Sequence, residues 1–326
     1  MNKKVLTSIF ISVTLVWFLL YQIEFALIFE TFKTVPLHLV VIGFVFYAIS
    51  YLLRAFRFKV LLQKELKIGT LFNIVAVHTM WTNLLPFRSG ELSYFYLLKK
   101  KGGAASYVSG VPSLVLARLF DLVAISLLFL ISFIAVETFP RELKIIGFVL
   151  FCLLLALLVF LIFLVSQRER FLGRLKFYIL KFKLDKIKAV EKLLGRSEEI
   201  LEGFKMVRSS KTLCLTALFS LLIWLFVYFF NYSLIRAVGV EVSILQVFFI
   251  SSFFVLAGLF PIHGWAGFGT TEGIWVLMII WFGLTKEMAI VTGFQLHLMA
   301  LVFVVLLGVL GAILMSEFVC KLRRMA

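Results

Sequence analysis

The chain has 326 residues, 63% of them hydrophobic and 38 of them phenylalanine. Soluble domains average about 45–50% apolar, so this composition excludes a soluble protein and indicates an integral membrane protein. The formal net charge of +16 does not point to nucleic acid, because Lys and Arg lie between apolar spans. There they mark the cytoplasmic side and attract anionic lipid headgroups. Cys152, Cys214 and Cys320 are scattered, with neither CxxC nor metal-ligand spacing, and are read as small apolar fillers.

The chain opens "MNKKVLTSIFISVTLVWFLLYQ", a basic tip and a long apolar run without a small-residue cleavage site. It reads as an uncleaved first span. A spanning helix needs about 20 apolar residues. Six stretches qualify: 5–23, 37–58, 110–136, 144–165, 211–235 and 286–316.

Two further apolar regions are broken in the middle: "LFNIVAVHTMWTNLLPFRSGELSYFYLL" at 71–98, and 244–283, which contains "GLFPIHGWAGFGTTEGIW". Residues 69–83 reach only about 22 Å as helix, 91–98 about 12 Å and 272–282 about 16 Å. None of these matches a hydrocarbon core of about 30 Å. We therefore expect two re-entrant hairpins, 69–98 entering from the cytoplasm and 243–283 from outside. Charge parity also allows two full crossings in the second region, because the arm 243–260 could nearly span.

Lys3 and Lys4, residues 54–67, "KKK" at 99–101, the segment 166–210 and "KLRR" near the end are all basic. They place both termini on the cytoplasmic side. Residues 166–210 read as an amphipathic connector on the membrane surface. The expected fold class is thus an all-α polytopic membrane protein forming a single domain over 1–326. It has six full spans, two opposed re-entrant hairpins, and repeat-like halves at 37–136 and 211–316. Such an inverted repeat places broken helices around a substrate site. Irregular backbone within a bilayer survives only inside protein or beside a water-filled cavity. The N–H groups at the start of a helix near Thr270 would point into that cavity and favour an anion.

"TNLLPFRSGELSYFYLLKKKG", "ARLFDLV" and "GLFPIHGWAGFGTTEG" follow one another in this order. With them the sequence resembles the flippase-like transmembrane domain family, named for the N-terminal membrane region of lysylphosphatidylglycerol synthetases. The resemblance runs from the first span to about residue 316. It implies an inner-membrane lipid translocase, some members moving aminoacylated phosphatidylglycerol and others being linked to polyprenyl-phosphate or hopanoid traffic. In the synthetases a soluble domain transfers the lysyl group. This chain ends soon after its last span, so that activity is expected to be absent.

Ionisable groups within a membrane are costly and mark functional positions. Arg88 and Glu91 flank the first turn. Arg88 would hold a lipid phosphate through its planar fork, and Glu91 would pair with it or bind a proton or amine. Arg118 and Asp121, three residues apart, share a helix face as a structural pair or as substrate contacts. A helix starting near Pro112 would put Arg118 about 9 Å along it. Glu272 opens the second return arm, either as a capping group or as an acid that titrates or meets a base from another helix. His263 would line the cavity, whereas His78 and His297 read as packing residues. Arg54 and Arg57 read as snorkelling to the cytoplasmic interface, with recruitment of anionic lipid as the sharper alternative.

These six residues, Arg88, Glu91, Arg118, Asp121, His263 and Glu272, form the expected substrate-binding set. No catalytic group, metal ligand or cofactor is expected, and "GWAGFG" lacks the strand that a nucleotide loop requires. The expected function is a flippase of the cytoplasmic membrane, and not an enzyme. It would move an anionic or zwitterionic lipid, or a lipid-linked precursor, recognised through a phosphate-containing headgroup. The alternatives are a membrane enzyme acting on a lipid phosphate or lipid-linked sugar, and a non-catalytic partner of a lipid-modifying enzyme.

Overall fold

The computed structural model describes residues 13–62, 66–102, 104–136, 209–257 and 265–323, with short pieces between 144 and 159. Among these, all regular structure is helical. A helical segment, 13–20, precedes α1 (Phe25–Phe32), α2 (Leu37–Leu62) and α3 (Ile68–Leu84). A 3-10 turn, Pro86–Glu91, leads to α4 (Leu92–Gly102) and α5 (Ala104–Ala135). The second half holds α6 (Ser210–Ala237), α7 (Ile244–Ala257), a 3-10 turn at Trp265–Gly267, α8 (Thr270–Ile279), a 3-10 turn at Ile280–Phe282, and α9 (Lys286–Arg323).

Five of the described helical stretches are long and apolar enough to cross a membrane: Leu37–Leu62, Gly110–Ala135, Ser210–Ala237, Trp265–Phe282 and Lys286–Ser316. On α2, Val41, Ile42, Val45, Leu52 and Phe56 stay exposed, the face that a bilayer covers. The chain is a multi-pass membrane protein. Four of the five stretches coincide with expected spans. The fifth, Trp265–Phe282, is longer than the expected return arm, because 3-10 turns extend α8 at both ends. The connector 166–208 and the loop 258–264 lie outside the described residues, as does half of the span expected at 144–165; the span expected at 5–23 is described only from residue 13.

The two halves interlock through α2 and α6. Gly43 meets Leu234, Tyr47 stacks near Phe230 and Phe56 near Phe219, so the two helices run antiparallel. Next to them α3 crosses α9 antiparallel, and Gly308 and Gly311 let the backbones approach. A Cβ on Gly308 would lie 2.4 Å from that of Met80. Small residues serve this purpose where dispersion, not water exclusion, drives helix association. The contacts are reciprocal: α3 packs on α9 as α7 packs on α5, and α4 on α5 as α8 on α9.

Within each broken region the two arms touch. His78 of α3 approaches Ser93 and Tyr94 of α4, and Gly90 lies directly on the backbone of Trp81. In the second half Phe254 of α7 faces Trp275 of α8. The start of α7 carries a reciprocal cap, in which Ser243 N–H donates to Gln246 Oε1 (2.7 Å) and Gln246 N–H to Ser243 Oγ (3.2 Å). Helix α5 begins at Ala104 and keeps Pro112 inside it. Arg118 therefore lies about 21 Å from the helix start, deeper than the expected 9 Å.

Candidate functional site

Helices α2, α3, α5, α6, α8 and α9, with the turn Trp265–Gly267, enclose a cavity of about 360 Å³. Tyr47, Arg54, Arg57, Arg118, Asp121, His78 and His297 are its charged or titratable polar lining. The two α2 arginines are three residues apart and so share one face. Because α2 runs on to Leu62, that face turns inward where a shorter span would have ended.

Arg57 is 2% exposed and Asp121 4%. Arg57 Nη1 donates to Asp121 Oδ1, and Nη2 donates to Oδ2 at 3.2 Å, a two-pronged pair. Arg57 Nη1 also reaches Ser220 Oγ at 2.7 Å, and Trp224 Nε1–H donates to Asp121 Oδ1 at 2.9 Å. Asp121 is thus held by α2 and α6. Its sequence neighbour Arg118 instead donates from Nη2 to Glu91 Oε1 at 2.7 Å. The helix-face pairing expected between Arg118 and Asp121 is replaced because each finds a partner across an interface.

Arg54 has no hydrogen bond or ion pair among the described residues. Its Nε is buried without a partner, as is that of Arg57, and its guanidinium stands 5.9 Å from the centre of the Trp224 ring. Burying a cation is costly unless it is paired. Asp121 is the nearest opposite charge and is already engaged by Arg57. Among the described residues the cavity lining holds three arginines against one aspartate, with Glu91 behind Arg118 as the second acid.

Glu272 lies behind the opposite wall and is fully buried. Its Oε2 accepts the Gly269 N–H at 2.7 Å, and its Oε1 lies 2.7 Å from His297 Nδ1. The start of α8 does fall at Thr270, and there the chain's own Glu272 carboxylate accepts the Gly269 N–H. His297 Nε2 meets the Ala266 carbonyl at 3.1 Å. Ala266 has φ +51°, a left-handed backbone that costs a non-glycine residue about 1–3 kcal/mol. His297 holds this turn in place.

Of the sequence-derived set, Arg118 and Asp121 line the cavity. Glu91 touches it through Arg118, and Glu272 through His297. His263 and the side chain of Arg88 lie outside the described residues. Arg54, Arg57, Trp224 and His297 were not singled out as site residues. For the arginines, the apolar run "FKVLL" continuing past Arg57 was the available signal. For His297 it was the polar pair Gln295 and His297 inside an apolar span.

Glu91–Arg118 is 33% and 40% exposed at its side chains. Exposed pairs contribute little. A double-mutant cycle with Glu91→Gln and Arg118→Met, read by thermal unfolding in detergent, should give a coupling below about 1 kcal/mol. A coupling several times larger would mean that the pair is effectively buried.

No curated protein and no solved structure matches the chain. The family model described as Lysylphosphatidylglycerol synthase TM region matches residues 5–308. Its span takes in every residue that lines the cationic cavity, and the chain belongs to this family.

Proposed function

We propose that the chain is a lipid flippase of the cytoplasmic membrane that passes a phosphate-bearing headgroup through the cationic cavity while the tails stay in the bilayer. One observation carries this: Arg54 lines the cavity with no hydrogen bond or ion pair among the described residues, beside an Asp121 already engaged by Arg57. A phosphate oxygen is the acceptor that a guanidinium fork fits best. The membership in a family named for a lipid-modifying synthase's membrane region supports a lipid as cargo.

An inverted repeat underlies the path in this proposal. The antiparallel α2 and α6, and the reciprocal contacts of the halves, support it. So does a shared tether: in each half a hairpin glutamate reaches a base on the following long helix, Glu91 to Arg118 and Glu272 to His297, both at 2.7 Å. Both termini lie on the cytoplasmic side, by the distribution of Lys and Arg. Arg88 adds a second grip on the phosphate.

The test uses purified protein in liposomes carrying acyl-labelled fluorescent phosphatidylglycerol, with a membrane-impermeant quencher reporting each leaflet. Wild type should exchange the probe between leaflets faster than protein-free vesicles. Arg54→Met should lower that rate by about tenfold or more, the loss of one charge-assisted contact of about 1.5–3 kcal/mol. Arg54→Lys, which keeps charge and loses the fork, should fall between. Unchanged exchange in Arg54→Met would remove Arg54 from the path. Chemical conversion of the probe would make the chain an enzyme instead.

A further inference from the structure

The protons on His297 can be counted from its hydrogen bonds. Both ring nitrogens face acceptors, Nδ1 the Glu272 carboxyl at 2.7 Å and Nε2 the Ala266 carbonyl at 3.1 Å. A neutral imidazole has one N–H and can satisfy only one acceptor. The observed geometry needs a proton in each contact. Either His297 is an imidazolium beside the Glu272 carboxylate, or a protonated Glu272 donates to Nδ1 while Nε2–H donates to Ala266. In both cases the pair is neutral overall and holds one proton that it can release. On release it carries one negative charge and one of the two contacts must break.

The position of the pair gives that proton a consequence. His297, Thr271 and Ala300 line the cationic cavity on one side and a second cavity of about 210 Å³ on the other. The second cavity is lined mainly by apolar groups from α6, α7, α8 and α9, with Asn231 and Ser251 among them. The wall between the two cavities is thus fastened by the protonated pair through the strained turn at Ala266. The matching tether in the other half uses Arg118, which never loses its charge, and is far more exposed.

The other titratable or charged groups facing the cationic cavity are Tyr47, Arg54 and Arg57 from α2, His78 from α3, and Arg118 and Asp121 from α5. From α6 it receives the uncharged Trp224 and Val227, and from α8 Thr271. No lysine and no other acid lines either cavity among the described residues. An anionic headgroup in the cationic cavity would repel a deprotonated Glu272–His297 pair and favour the protonated one, since charges interact strongly away from water.

We infer that Glu272 and His297 form a proton-binding site, and that the chain carries a phosphate-bearing lipid together with one proton. This rests on the flippase reading above. Proton and monoanionic lipid move in the same direction, so the step is electroneutral. The proton enters the pair as the headgroup enters the cavity and leaves the pair as the headgroup leaves. An anionic lipid then accumulates in the leaflet facing the more alkaline side.

Two measurements test this. The chain has four histidines, so nitrogen NMR of histidine-labelled protein can be assigned by substituting the other three singly. His297 should be an imidazolium, or a neutral ring with the proton on Nε2 and Nδ1 accepting from Glu272. A neutral ring protonated on Nδ1 alone would overturn the proton site. In the second, proteoliposomes with labelled phosphatidylglycerol are held at a difference of about one pH unit, which can bias the leaflets at most about tenfold for one proton per lipid. Wild type should drive the probe toward the alkaline leaflet beyond the level in protein-free vesicles. His297→Gln should exchange it without that bias, and Glu272→Gln provides the same test should the first variant misfold. Wild-type exchange that ignores the gradient would overturn the coupling and leave the flippase reading intact. Exchange no faster than in protein-free vesicles would end the flippase reading and the coupling with it, while the NMR result would decide the proton site separately.

Discussion

Asp121→Ala should destabilise the folded protein by about 3–5 kcal/mol, the range seen when one partner of a buried ion pair is removed. Asp121 accepts from both Arg57 Nη atoms and from the Trp224 indole. Removing it leaves the buried Arg57 and the half-buried Arg54 as neighbouring cations with no acid between them, and leaves the indole N–H without its acceptor. Arg57→Met should cost a similar amount, because it strands the carboxylate. The double variant Arg57→Met with Asp121→Leu should recover much of the loss, since a matched apolar pair carries no uncompensated charge. Thermal unfolding in detergent micelles reads all three. A loss below about 1 kcal/mol in either single variant would show that water reaches this pair freely.

Gly90→Ala should be the most damaging glycine substitution in the first hairpin. The added Cβ would lie 2.2 Å from both the carbonyl carbon and oxygen of Trp81 and 2.3 Å from Thr82 N. These are backbone atoms of α3, which cannot rotate away as a side chain can. The 3-10 turn Pro86–Glu91 would have to lift off α3, and Glu91 would move away from Arg118. We expect a loss at or above the usual 1–3 kcal/mol of overpacking, with reduced folded yield in membranes. Gly273→Ala is the control. Nothing lies within 4 Å of its Cβ position, and alanine favours the helix by about 1 kcal/mol. It should hold or raise the unfolding temperature. Equal behaviour of the two variants would mean that the first hairpin does not fold back as described.

Much of the architecture could be read along the chain because membrane helices are specified locally. Apolar length set the stretches at 37–58, 110–136, 211–235 and 286–316, and each holds a described helix. Proline and glycine clusters set the breaks at Pro86–Glu91 and before Thr270, where the backbone cannot keep one helical register. Glu91, Arg118, Asp121 and Glu272 stood out because a charge inside an apolar run needs a reason. Helix ends were read less well. Apolar residues past Arg57 extend α2, and α5 begins eight residues before Pro112.

Partner choice was decided by the tertiary structure. Asp121 and Arg118 are neighbours in sequence, yet Asp121 bonds to Arg57, 64 residues away, and Arg118 to Glu91, 27 residues away. Glu272 meets His297, a residue that looks like packing until its two acceptors are seen. Sequence spacing fixes which side chains share a helix face. Which face turns inward, and what stands opposite it, depends on how the helices pack. That packing is set by dispersion, small-residue contacts and polar pairing between segments far apart in the chain. The sequence by itself determined a multi-pass helical protein with two broken regions and costly internal charges. Only the folded chain decided that Arg54 would line the cavity with no hydrogen bond or ion pair among the described residues.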